Sequence, residues 1–163
     1  MKEYSVIGKR FPLKDAVEKA TGMAKFTGDF KLPEMLHAKF LRSPYPHARV
    51  LRVDTSEAER LPGVKTVLCK NNAPRIKVPA VFNESRIFDI PRDKVLFDDK
   101  VRYAGEEVAV VAAVTEKIAE EALKLIKVDY EELPALFNVK EAMRPDVPLI
   151  HEDRDSNVAS PLV

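Results

Sequence analysis

Residues 101–134, VRYAGEEVAVVAAVTEKIAEEALKLIKVDYEELP, carry the pattern that decides the fold. Val108 to Val114 is an unbroken, valine-rich apolar run of seven, the pattern of a strand covered on both faces and far too short to cross a membrane. Thr115 then offers an N-cap hydroxyl and Glu116 a negative charge at the positive helix end. Ile118, Ala119, Ala122, Leu123 and Ile126 recur at helical spacing, which predicts one buried stripe. Full burial of Ile118, Leu123 and Ile126 would contribute roughly 1.5–3 kcal/mol each, and a helix of about a dozen residues needs such packing. The opposite face holds Glu116, Lys117, Glu120, Glu121 and Lys124; it is expected to be solvated, with Glu120 and Lys124 in the favourable i,i+4 order. From Val128 the period falls to two until Leu133-Pro134 stops the strand. Strand, helix and strand together predict a βαβ unit, right-handed by the crossover rule.

Residues 49–68 show the same pattern in miniature. Val50 to Val53 predicts a strand, Asp54 to Leu61 a short helix ended by Pro62-Gly63, and Val64 to Leu68 a second strand. Asp54 and Glu57 have capping-box spacing. Upstream, residues 1–10 read as an extended arm turning at Gly8. Residues 14–22 fit either a short helix or a charged loop closed by Gly22, and the loop is the reading adopted. Leu36, Ala38 and Phe40 alternate with His37 and Lys39, which predicts a half-buried strand with His37 and Lys39 outward, ending at a rigid Pro44-Tyr45-Pro46 corner. Residues 71–100 form a long stretch interrupted by Pro74, Pro79 and Pro91, with pattern only at Val78 to Phe82 and Val95 to Phe97. A connection that long in a compact domain is usually functional, ordered by a partner or disordered, and it is the best candidate for a contact surface. Residues 137–143 predict a last short helix, followed by a polar, proline-containing tail.

A chain of 163 residues can bury about 70% of its unfolded surface around one core. One cysteine, Cys69, excludes an internal disulfide and every cysteine-rich metal or iron–sulfur motif. The 27 basic and 26 acidic residues give no net field to attract nucleic acid or anionic lipid. With no apolar leader and no long apolar run, the expected setting is cytoplasmic, with neither nucleic acid nor membrane as a partner.

Candidate reactive residues find few companions. His37, His47 and His151 are the only histidines, and no two share an element at metal-ligand spacing. Ser43 lacks the G-x-S-x-G turn of an activated nucleophile. Glu106 and Glu107 are adjacent, so strand geometry sends them to opposite faces; a surface turn is the expectation. Gly105 stands without a phosphate-binding glycine pattern. Asp98-Asp99 and residues 151–155 (HEDRD) are expected to be solvated, and Cys69 to be a buried small hydrophobe. No catalytic, cofactor-binding or metal-ligating residue is therefore expected. Structural roles fall to Gly22, Gly63 and Gly105 at turns, Arg42 and His47 at the proline corner, and Thr115 at the helix cap.

Several segments taken together resemble one family: residues 15–29 (DAVEKATGMAKFTGD), 35–44 (MLHAKFLRSP) with 47–50 (HARV), 61–64 (LPGV), 101–105 (VRYAG) with Val108-Ala109, and 128–134 (VDYEELP). In this order they resemble the N-terminal a/b hammerhead domain of molybdenum hydroxylase large subunits, the family of xanthine dehydrogenase, aldehyde oxidase, carbon monoxide dehydrogenase and 4-hydroxybenzoyl-CoA reductase. The chain departs from the family at Pro46, where alanine is common, and at Glu106-Glu107, where Gln-Pro is common. The resemblance implies an α+β fold with a mixed sheet, βαβ units and few helices, a domain over residues 1–143, and a tail over 144–163 leading towards the molybdopterin-binding domains. It implies an oxidoreductase whose complete form uses molybdopterin with molybdenum, iron–sulfur clusters and FAD, none held by this chain. The partners implied are the other domains of the large subunit and the FAD and iron–sulfur subunits. The chain would be a structural part shaping the substrate channel or a subunit interface, without the active site. The alternative from a different class is a free-standing assembly or ligand-binding module of the same fold.

Overall fold

The computed structural model describes residues 6–78 and 94–158. Residues 1–5 of the expected arm, the 79–82 part of the patterned stretch, and residues 159–163 of the tail lie outside the described residues. The chain divides into two units, Met1–Met35 and Leu36–Val163.

In the first unit the adopted loop reading is corrected: Ala16–Thr21 is a helix, α1. Its stabilisation is local, which is why no apolar stripe announces it. Lys19 pairs with Asp15 at 2.6 Å, and the Thr21 hydroxyl donates to Val17 O at 2.7 Å. Gly22 ends it at φ +73°, a left-handed conformation that glycine adopts without a Cβ penalty. A 3-10 turn follows at Thr27–Asp29, where Asp29 Oδ2 accepts the Phe26 N–H at 2.9 Å.

The second unit holds strands β1 (His37–Arg42), β2 (Ala48–Asp54), β3 (Val64–Cys69), β4 (Lys100–Val101), β5 (Glu107–Ala113) and β6 (Lys127–Glu132). Its helices are α2 (Ser56–Arg60), α3 (Glu116–Leu125) and α4 (Val139–Ala142). Small sheets with few helices make this an α+β fold, with two three-stranded sheets ordered β1-β5-β3 and β4-β2-β6. All these strand pairs are antiparallel. Both strand–helix–strand patterns are present, but β5 and β6 belong to different sheets, as do β2 and β3. The expected right-handed parallel crossover therefore does not arise. The two patterns interlock instead: the first strand of each pairs with the second strand of the other, β2 with β6 and β5 with β3. The helices α2 and α3 meet between them.

The core is small-residue packing. Ala48, Ala58, Ala109, Ala113, Ala119, Ala122 and Val111 have no exposed surface, and Val50, Val67 and Val101 are buried beside them. Such short side chains bring α3 close against β5, and dispersion contacts accumulate across that seam. Of the three large stripe residues expected to bury fully, only Ile126, just past the end of α3, does; Ile118 and Leu123 are partly covered, so their contributions fall below the full-burial range.

Strand β1 reverses the expected facing. Ala38 and Phe40 are exposed, whereas His37, Lys39 and Leu41 are half-buried. Lys39 lays its stem along the side facing α3 and pairs with Glu116 and, at 3.2 Å, Glu120. Part of the helix face expected to be solvated thus ties to the sheet, and Glu120 pairs with Lys39 where Lys124 was expected. In α2 no capping box forms. Asp54 Oδ1 accepts from Ser56 N–H at 3.1 Å and from its hydroxyl at 2.6 Å, while Glu57 pairs with Lys127 at 2.6 Å.

Two substitutions test this packing. Thr115 Oγ1 accepts the Ile118 N–H at 3.2 Å, so Thr115→Ala should cost about 0.5–2 kcal/mol in urea unfolding; an unchanged midpoint would refute the cap. Gly63 sits at φ +94°, where a Cβ would lie 2.8 Å from Ile118 Cδ1 and 3.1 Å from Val114 Cγ2. Gly63→Ala should lose about 1–3 kcal/mol, more than Gly105→Ala, whose Cβ would meet nothing within 4 Å.

Candidate functional site

Arg42, Ser43, His47, Glu106 and Glu107, singled out in the sequence, gather around one joint of the second unit. There the proline corner meets the turn before β5 and the exit of β6. Ser43 N–H donates to Glu106 O and Gly105 N–H to Ser43 O, both at 2.8 Å. These bonds carry the β1–β5 pairing past the strand ends. Gly105 adopts φ +92°, which the tight turn requires. Arg42 does not hold the corner directly. Its guanidinium reaches across to Gly105 O at 2.7 Å and Glu107 Oε1 at 2.8 Å, so it fastens the turn to β1. Inside the corner, Tyr45 N–H donates to Ser43 Oγ at 3.0 Å, and the Tyr45 ring tilts against Tyr130 of β6 with centroids 5.1 Å apart.

His47 is buried, with 3% of its surface exposed. Its Nδ1 lies 2.6 Å from Pro134 O; a carbonyl only accepts, so Nδ1 carries the proton. Leu133 N–H donates to His47 O at 2.9 Å. One residue thereby fixes both the start of β2 and the end of β6. Its Nε2 has no hydrogen-bond partner among the described residues.

Glu106 corrects the surface-turn expectation: it is only 7% exposed. Its carboxylate accepts the Arg102 N–H at 2.5 Å. Burial raises its pKa above the ordinary 4.5, outweighing the Arg102 bond and the nearby positive charges. Glu107 points elsewhere, as strand geometry dictates. Burial pushes its carboxyl up, but its own backbone N–H, Lys94 and Arg42 together hold it below the ordinary value.

A second polar group sits beside this joint. Asp98 bonds Arg102 at 2.9 Å and Arg75 at 3.0 Å, and Asp99 bonds Arg75 at 2.9 Å. Lys100, its side chain only 10% exposed, pairs with Glu152 at 2.8 Å, and Arg102 Nε donates to Ile150 O at 3.2 Å. Desolvation raises Asp98, but Arg102, the Asp99 N–H and Arg75 pull it below its ordinary 3.8. These carboxylates are engaged rather than merely solvated. The residues around 150 are tied back to β4 although 144–158 contains no helix or strand. An open recess of about 200 Å³ lies here, lined by Arg75, Lys77, Val95, Asp98, Arg102 and acidic residues 152 and 153.

Sequence reasoning misplaced Glu106 and Lys39, and it missed Lys100 and the Tyr45–Tyr130 contact. None of them is marked by periodicity, and Glu106 is one of two adjacent glutamates between a turn glycine and a long apolar run. Gly22 ends α1 in the first unit; in the second, Thr115 caps α3 and Gly63 lies against the start of α3. Cys69 is a buried free thiol. Among the described residues, no three His, Cys, Asp or Glu side chains gather as metal ligands, and no helix is long and apolar enough to cross a membrane. The arrangement can fasten backbone segments together; it assembles no nucleophile with a base.

Glu106 provides a pH test. A carboxyl with a raised folded pKa binds its proton more tightly when folded, so its contribution is present below 4.5 and lost as pH rises through the folded value. Glu106→Gln keeps an acceptor for the Arg102 N–H and deletes the charge. The stability of Glu106→Gln relative to the parent should therefore rise between about pH 4 and 8. A constant or falling difference would refute the assignment.

Comparison with known proteins places this joint in a known domain. A family model described as aldehyde oxidase and xanthine dehydrogenase, a/b hammerhead domain, matches residues 21–134. The nicotinate dehydrogenase large molybdopterin subunit of Eubacterium barkeri is 40% identical over 153 residues, covering 93% of this chain and 34% of that protein. The carbon monoxide dehydrogenase large chain of Afipia carboxidovorans is 39% identical over 132 residues, 81% of this chain and 16% of its own length. The crystal structure of quinoline 2-oxidoreductase from Pseudomonas putida 86 superposes with a TM-score of 0.79 at 34% identity, covering 90% of this chain and 19% of that one. The chain thus spans about a third or less of the relatives it matches. It belongs to the aldehyde oxidase and xanthine dehydrogenase a/b hammerhead family, a domain of molybdenum hydroxylase large subunits.

Proposed function

We propose that this chain is the structural hammerhead part of a molybdopterin-dependent oxidoreductase large subunit and carries no reacting group of its own. The observation that supports this is the match along nearly the whole chain to a large molybdopterin subunit about three times as long. In this reading the domain occupies residues 1–143, and residues 144–163 lead towards the molybdopterin-binding domains. The complete enzyme would use molybdopterin with molybdenum, iron–sulfur clusters and FAD, with the latter two on separate domains or subunits, in the cytoplasm. The described residues do not fit those groups. The one cysteine cannot ligate a cluster, and the buried polar atoms of the joint, His47 Nε2 excepted, are committed to backbone and ion partners.

The roles of Gly22, Arg42, His47, Gly63, Gly105 and Thr115 are then structural: they fix turns, a corner and a helix end so that the surface offered to the other domains keeps its shape. Residues 71–100, whose two flanks are held together by the Arg75–Asp98 and Arg75–Asp99 pairs and the Val78–Lys94 bridge, would border the substrate channel or a neighbouring subunit.

The test is direct. The isolated chain should carry no molybdenum or pterin by elemental and fluorescence analysis and should lack dehydrogenase activity. Co-expression with its large-subunit partners should place it in a molybdenum-containing complex. Stoichiometric molybdenum on the isolated chain would overturn this division of labour.

A further inference from the structure

Among its described residues the first unit has many hydrophobic side chains and none that is buried. None of residues 6–35 is buried, although the segment carries Phe11, Leu13, Met23, Phe26, Phe30 and Leu32. Phe26 is 62% and Phe30 58% exposed. Scattered exposed apolar residues are ordinary, but so many in one short segment mark a surface that another body covers. A segment this short also cannot build a core to hold its own shape. Its local order comes from the α1 ion pair, the left-handed Gly22 and the Asp29–Phe26 bond. These features set the spacing of the apolar side chains without covering them.

We propose that residues 6–35 are a docking arm whose apolar side chains insert into the molybdopterin-binding part of the same large subunit. The inference rests on the proposed function, and the length of polypeptide that a relative carries beyond this chain argues for this occupant. The match to the large molybdopterin subunit of Eubacterium barkeri takes in 153 of 163 residues, so it includes most of the arm. The arm is thus shared with a protein in which about two thirds of the polypeptide lies beyond this chain. That remaining body has the size to bury it. The partner surface is accordingly a concave apolar one, with sockets for two phenylalanine rings.

The experiment uses the assembled large subunit and the free chain side by side. Covalent footprinting of residues 6–35 should drop by about tenfold or more on assembly, and Phe26→Ser with Phe30→Ser should lower recovery of the assembled subunit by about tenfold or more. The same double variant should leave the free chain's unfolding midpoint unchanged, because both residues are already more than half exposed and the Asp29 bond uses the Phe26 backbone. Equal labelling in both states, or undiminished recovery, would overturn the arm while leaving the proposed function standing. A lower midpoint of the free variant would show that the rings pack on this chain itself, and loss of a free-chain dimer would assign the arm to a second copy; each overturns the proposal. If the unaltered chain joins no molybdopterin-binding polypeptide, the proposed function fails first.

Discussion

Strand β5 is the constraint on which the second unit depends. It is hydrogen-bonded along both edges, to β1 and to β3, and its Ala109, Val111 and Ala113 form the wall against which α3 lies. Alanine at alternate positions leaves room for a helix to approach, and Ala119 and Ala122 answer from the other side. From that seam the chain has one exit. Helix α3, ten residues long and so about 15 Å from end to end, carries it from β5 in one sheet to β6 in the other. A parallel pairing of β5 with β6 would require the chain to return beside its own starting strand. The edges of β5 are already taken, so β6 finds its partner in β2.

This exchange explains what the sequence made legible. Each strand and helix of residues 101–134 is written in local periodicity, and the elements form within one or two residues of their expected bounds. Pairing partners are non-local and leave no such trace, so two strand–helix–strand patterns look like parallel units when they interlock as antiparallel ones. Facing is ambiguous for the same reason. The alternation in β1 is real, but lysine has a long apolar stem that can lie along a core and deliver its ammonium to an ion partner. Lys39 does so towards Glu116 and Glu120, and Phe40 is left outside. Periodicity identifies a strand's two faces; only the packed neighbour decides which is inner.

The polar residues follow a similar logic. Exposed ion pairs such as Arg49–Glu131 and Lys127–Glu57 contribute little stability individually, but they lie across strand and helix junctions and favour one register. Arg49 and Glu131 are directly opposed in the β2–β6 ladder, as are Arg42 and Glu107 across β1 and β5. Glu106 is different because it is buried. Its placement under the Arg102 N–H closes the turn at the cost of a desolvated carboxyl, and such a group was unreadable as structural from the sequence because a charge beside a glycine ordinarily signals a solvated loop.

Residue types that elsewhere perform chemistry are here used to hold backbone. A histidine Nδ1–H, an arginine fork and a buried carboxylate each bond to a peptide group, at Pro134, Gly105 and Arg102. A catalytic group must exchange its partner for a substrate atom during turnover, whereas breaking any of these bonds would release a strand end or a turn. That commitment suits a rigid support. Rigidity in the second unit and bare apolar side chains in the first are complementary properties for a domain that serves a larger assembly. The interlocked sheets keep their own geometry, and in the proposed docking the exposed apolar side chains described in residues 6–35 supply the surface that is buried.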